Sequence, residues 1–121
     1  MCARDQAWAE NAFEERDAGL WLKQNAGSRP NVLSAIYRPV FYAEGDQTMP
    51  TVETAANAES VLRQMKERNA GYVLVSERSL KRNPFLKNLP AILRESPCFE
   101  LVYRKNEQPG YEILIFKLKE G

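Results

Sequence analysis

Residues Thr54–Ser76 read TAANAESVLRQMKERNAGYVLVS, and this stretch decides the fold. Ala58, Val61, Leu62 and Met65 fall at i, i+3, i+4 and i+7, which puts one apolar stripe on a helix of about Thr54–Asn69. Arg63, Lys66, Glu67 and Arg68 take the watered face, Thr54 or Asn57 is the N-cap, and Asn69-Ala70-Gly71 closes the helix. Tyr72–Ser76 follows at once as an unbroken apolar run. A strand apolar on both faces, placed just after a helix, is expected at the centre of a sheet covered on both sides. Upstream, Asn31–Tyr37 lies between Pro30 and Pro39 and reads as a short buried strand. The three pieces together predict a βαβ unit with a right-handed crossover.

On the N-terminal side, Gln6–Ala26 is expected to be a helix carrying Ala9, Phe13, Leu20 and Trp21, ended by Gly27 and kept from resuming by Pro30. Gly19 weakens its middle by ~1 kcal/mol relative to alanine, so the helix needs tertiary packing. Val40-Phe41-Tyr42-Ala43 forms an aromatic patch, Glu44-Gly45-Asp46 a turn, and Gln47–Val52 a loop. On the C-terminal side, Glu77–Asn88 reads as a basic linker and Pro90–Glu95 as a short helix opened by its proline. Phe99–Arg104 and Tyr111–Lys119 form an antiparallel hairpin around Asn106-Glu107-Gln108-Pro109-Gly110. Tyr111, Ile113 and Ile115 lie on one face of the last strand and Leu114, Phe116 and Leu118 on the other, so both faces should be covered. The expectation is a single small α/β domain over residues 1–121. It has about four strands in a mixed sheet, a βαβ unit plus a C-terminal hairpin, with helices packed on it.

Composition narrows the function. The chain has 121 residues, 44% hydrophobic and 27% charged, suited to one folded domain that needs no staple. Seventeen Lys and Arg against sixteen Asp and Glu leave a net charge of +1, a balance that gives no electrostatic case for nucleic acid or an anionic membrane surface. There is no histidine, which removes Ser-His-Asp and Cys-His nucleophilic systems and His-ligated metal sites. Cys2 and Cys98 cannot make a structural zinc site alone. A disulfide between them is one arrangement and two free thiols the favoured one, so the cysteines do not fix a redox compartment. No run approaches the ~18–20 apolar residues of a membrane span. Met1-Cys2-Ala3-Arg4-Asp5 leads into a charged amphipathic segment rather than the apolar core of a signal peptide. No glycine-rich phosphate loop is present, and Arg38-Pro39-Val40-Phe41 stands where a dinucleotide fold would place its glycines. The sequence thus offers no cofactor signature, no metal ligand set and no catalytic constellation.

Several residues remain as ligand-contact candidates. Tyr37, Phe41 and Tyr42 could present aromatic faces to a sugar ring, or form core and its lip. Glu77, at the carboxyl end of a strand, is the best-placed carboxylate, with a solvated strand end as its plainer explanation. Arg78, Lys81 and Arg82 belong to a basic stretch that suits an anion such as a lipid or sugar phosphate, or simply a solvated loop tucking Leu80, Phe85 and Leu86 onto the core. Glu14 and Glu15 are expected on the solvated face of the first helix, and Glu44 and Asp46 serve the turn around Gly45.

The order of these features resembles the soluble C-terminal region of bacterial membrane glycosyltransferases related to the dolichyl-phosphate-mannose protein mannosyltransferases (glycosyltransferase family 39). The matching pieces, over about residues 17–118, are Ala18–Ala26, Val32-Leu33-Ser34, Val40–Gly45, Val61-Leu62 through Val75, Phe99–Tyr103 and Tyr111–Leu118. The resemblance implies an extracytoplasmic (periplasmic) domain of a longer membrane protein that transfers sugar from a polyprenyl-phosphate donor. The catalytic carboxylates of such proteins lie in loops of the membrane part, so no catalytic residue carries over. It implies as partners the membrane part of the same parent chain and a polyprenyl-phosphate sugar or glycan acceptor, with Trp8 and Trp21 near the lipid interface or in the core. A standalone α/β binding domain in the cytosol is the alternative. A small hydrolase or transferase using Glu77 is a third.

Overall fold

The structure, a computed structural model, describes residues 3–106 and 109–119, with side chains from Glu14 onward. Five α-helices and five strands follow one another along these residues. They are α1 (Ala3–Asn25), β1 (Asn31–Leu33), α2 (Arg38–Tyr42), β2 (Asp46–Thr48), α3 (Ala58–Arg68), β3 (Tyr72–Ser76), α4 (Glu77–Arg82), α5 (Leu89–Glu95), β4 (Phe99–Lys105) and β5 (Ile113–Leu118). One mixed sheet runs in the order β2-β1-β3-β5-β4. β2, β1 and β3 are parallel, while β5 pairs antiparallel with both β3 and β4. The expected α/β architecture, βαβ unit and C-terminal hairpin are all present.

Alternation along the central strands splits the core into two layers. Leu33, Val73, Val75, Leu114 and Phe116 meet Val61 and Met65 of α3 and Leu89 and Leu93 of α5 on one face. Val32, Leu74, Ile113 and Ile115 meet Ala18 and Leu22 of α1 and Val40 and Ala43 of α2 on the other. β5 is covered on both sides, as its sequence demands: Ile113 to Phe116 are all buried. α2 and α3 lie on opposite faces, the arrangement required when two right-handed crossovers leave β1 and β2 in opposite directions.

The caps of α3 match its sequence. The Asn57 side chain accepts the Ser60 N–H at 2.9 Å, and Asn69 turns left-handed with φ 59°. Gly27 ends the run after α1 with φ 79°. Gly19, in contrast, marks a close approach rather than a weak point. A β-carbon there would lie 2.3 Å from the Pro39 carbonyl oxygen and 2.6 Å from the Tyr42 β-carbon, so only glycine lets α1 and α2 meet.

Other expectations need correction. The first strand ends at Leu33, four residues early, because the Ser34 hydroxyl both donates to the Ile36 carbonyl and accepts the Ile36 N–H, folding the chain into a tight turn. Residues 38–42 are helical, with Pro39 in the first turn. The segment expected as a loop at residues 47–52 begins with strand β2, which extends the sheet from about four strands to five. The basic linker is mostly ordered: Ser76 and Ser79 form a reciprocal capping box that opens α4, and a 3-10 turn at Pro84–Leu86 buries Leu86 while Phe85 stays exposed. Glu14 and Glu15 are buried, not solvated, at 5% and 7% exposure, and over Glu15 the cover is Arg38 of α2 and Arg78 of α4. Trp21 packs in the second core layer, 5.4 Å from Tyr103, whereas the expectations placed on Cys2 and on the side chains of Trp8, Ala9 and Phe13 lie outside what is described.

Candidate functional site

In open α/β sheets ligands favour the crevice outside the carboxyl ends of strands whose connections leave toward opposite faces. Here that point lies between β1 and β3. The chain leaves β1 for α2 on one face, and leaves β3 for α4 and α5 on the other. A crevice of about 330 Å³ opens there, lined by Glu15, Ala35, Ile36, Tyr37, Arg38, Arg78 and Arg82.

Each polar side chain arrives by a different route. The Ser34 turn swings Tyr37 and Arg38 over the end of β1. The Ser76–Ser79 capping box fixes the first turn of α4, and Arg78 and Arg82, one helical turn apart, share a face of it. Glu15 reaches in from α1. Arg78 Nη1 donates to Glu15 Oε2 at 3.0 Å, and Arg38 Nε lies 4.0 Å from Glu15 Oε1. The Arg78 guanidinium also sits 5.9 Å from the Tyr111 ring centroid, within cation–π range.

Glu15, a buried carboxylate, meets the Arg78 and Arg38 guanidinium groups here and holds them in place, and Arg82 stands beside them. Guanidinium forks suit the oxygens of phosphate or carboxylate. Arg82 is exposed and has no ion pair among the described residues. Tyr37, 56% exposed, forms the lip, with Phe41 6.3 Å away and Tyr42 5.5 Å beyond Phe41.

Of the residues singled out from sequence, the structure brings Tyr37, Arg78 and Arg82 together in this crevice. Lys81 lines an adjoining hollow with Arg78, Arg82 and Tyr111. Phe41 faces solvent on α2, and Tyr42 is half-buried against α1. Glu77 stands apart. Its carboxylate accepts the Glu112 N–H at 3.0 Å while its own N–H donates to the Glu112 carbonyl at 2.9 Å, which ties α4 to the start of β5. Glu44 and Asp46 form surface ion pairs with Lys23 and Arg29.

Sequence reasoning missed Arg38 and Glu15. Arg38 carried a signal, since it follows a strand at its carboxyl end. Glu15 carried none, because a glutamate on a charged helix looks solvated until another element covers it. Among the described residues no group of three or more His, Cys, Asp or Glu could hold a metal ion, and no helix is long and apolar enough to cross a membrane. Fold and site define a small α/β domain with a cationic crevice at its switch point. No family model, no curated protein and no solved structure matches this chain.

Proposed function

We propose that this chain is a non-catalytic accessory domain of a polyprenyl-phosphate-sugar-dependent membrane glycosyltransferase, positioned on the outer face of the membrane, where its crevice binds the phosphate-bearing part of a donor or acceptor. The observation that carries the reading is the convergence of Arg38, Arg78 and Arg82 at the β1–β3 switch point, beside the exposed Tyr37 ring. Guanidinium groups supply recognition of phosphate, and an aromatic face at the rim suits the apolar side of a sugar ring. The sequence pattern over residues 17–118 supplies the membrane-transferase setting. In this role the domain binds and orients, and bond-breaking belongs to the membrane part of the parent chain.

Fractionation of the source cells tests the setting. An antibody against this domain should detect a band much larger than 13.9 kDa in the membrane fraction, with an epitope open to protease from outside. A soluble cytosolic band near 13.9 kDa would refute the setting and favour a standalone binding domain.

A further inference from the structure

Two separate features of the fold meet at the carboxyl edge of the parallel strands. The first is the direction of α1. Its Glu15 lies beside Arg38 and Arg78 at that edge, and its Lys23 pairs with Glu44 at the opposite edge, where β2 begins. α1 therefore enters the domain from the carboxyl edge, and its earlier turns lead away on that side.

The second is what the edge displays. Among the described residues, the four most exposed large apolar side chains are Val52, Phe41, Tyr37 and Met49, at 50–67%. Tyr37 follows β1 and Met49 and Val52 follow β2, whereas Phe41 lies one turn along α2, its carbonyl accepting the Glu44 N–H toward the opposite edge. Exposed Lys81 and Arg82 stand on α4, directly after β3. Of the carboxylates on this side, Glu15, Asp17, Glu77 and Glu112 are engaged by Arg78, Lys105, the Glu112 N–H and Arg104, Glu14 is buried, and Glu53 is exposed. Exposed apolar side chains beside a pair of cations match an anionic bilayer surface. Apolar atoms enter the acyl boundary, and the cations remain with the lipid phosphates.

We infer that this edge is a membrane-contact surface, on which Tyr37, Met49 and Val52 enter an anionic bilayer and Lys81 and Arg82 lie at its phosphates. The inference rests on the accessory-domain reading and adds which edge meets lipid. The crevice opens on the same side.

Co-sedimentation of the 121-residue chain with vesicles tests it. Vesicles of phosphatidylglycerol and phosphatidylcholine should bind the chain, and phosphatidylcholine alone should not. Lys81→Ala with Arg82→Ala should weaken binding about 30-fold, and Met49→Ser with Val52→Ser about tenfold. Lys23→Ala with Arg29→Ala removes equal charge from the opposite edge and should change binding less than about twofold. All six sites are exposed, so the variants should keep the parent melting behaviour. No binding to either vesicle, or equal loss from the two charge-removing pairs, overturns the inference. So does release by inorganic phosphate at an ionic strength where chloride releases nothing, because that outcome assigns the binding to the crevice. Vesicle binding failing in a chain whose parent proves membrane-bound removes this inference alone, whereas a soluble native protein removes the parent reading.

Discussion

Replacing Gly19 by alanine sets helix propensity against packing, and the two predict opposite signs. Alanine is worth ~1 kcal/mol over glycine inside a helix, so propensity alone predicts a stabilised protein. The structure places the new methyl group 2.3 Å from the Pro39 carbonyl oxygen and 2.6 Å from the Tyr42 β-carbon, where ordinary contact begins at 3.4 Å. Neither obstacle is the end of a flexible side chain. α1 and α2 must therefore separate by about 1 Å, loosening Ala18 and Leu22 against Val40 and Ala43, at an overpacking cost of about 3 kcal/mol. The net expectation is a loss of about 2 kcal/mol, a drop of roughly 8 °C in Tm for a domain of this size. Thermal unfolding followed by far-ultraviolet circular dichroism measures it. Gly71→Ala serves as the control, because nothing lies within 4 Å of the place its methyl group would take and its φ is not left-handed. A Tm for Gly19→Ala equal to or above the parent's would refute the close α1–α2 approach.

Other changes separate the crevice from the scaffold. Arg82→Ala should weaken binding of a short-chain polyprenyl phosphate about tenfold in calorimetry, with the urea midpoint nearly unchanged. Glu15→Gln should cost about 2 kcal/mol in urea unfolding, since the Arg78 bond at 3.0 Å loses its anionic acceptor. The same change should tighten the binding of that phosphate severalfold, because the crevice loses its negative charge. Glu77→Gln should lower stability by about 1 kcal/mol through its bond to the Glu112 N–H and leave phosphate affinity unaltered. Asn57→Ala removes the α3 cap and should likewise cost about 1 kcal/mol by the same melt.

The sequence by itself determined the elements whose burial is written in their own residues. α3 has a helical stripe with asparagines at both caps, β3 and β5 are apolar on both faces, and the hairpin loop carries Pro109-Gly110. Local patterning reports these because each element's burial decides its composition. β2 was not legible for the same reason. Asp-Gln-Thr lies at the sheet edge with only Thr48 buried, so it needs no apolar alternation, and its pairing with β1 is made by backbone groups that any sequence carries. The extent of β1 escaped too, because a single serine side chain turns the backbone where the apolar pattern continues through Ala35 and Ile36.

The crevice divides in the same way. That arginines near 78–82 suit an anion was visible in the chain. Their meeting with Arg38 across the β1–β3 gap, and the restraint of both sides by Glu15, were decided only when α1, α2 and α4 came together, 63 residues apart in the case of Glu15 and Arg78. Burial of Glu14 and Glu15, and the need for glycine at position 19, have the same origin. Each depends on the distance to an element remote in sequence, and a one-dimensional pattern records which face of a helix is apolar but not what later packs against its polar side.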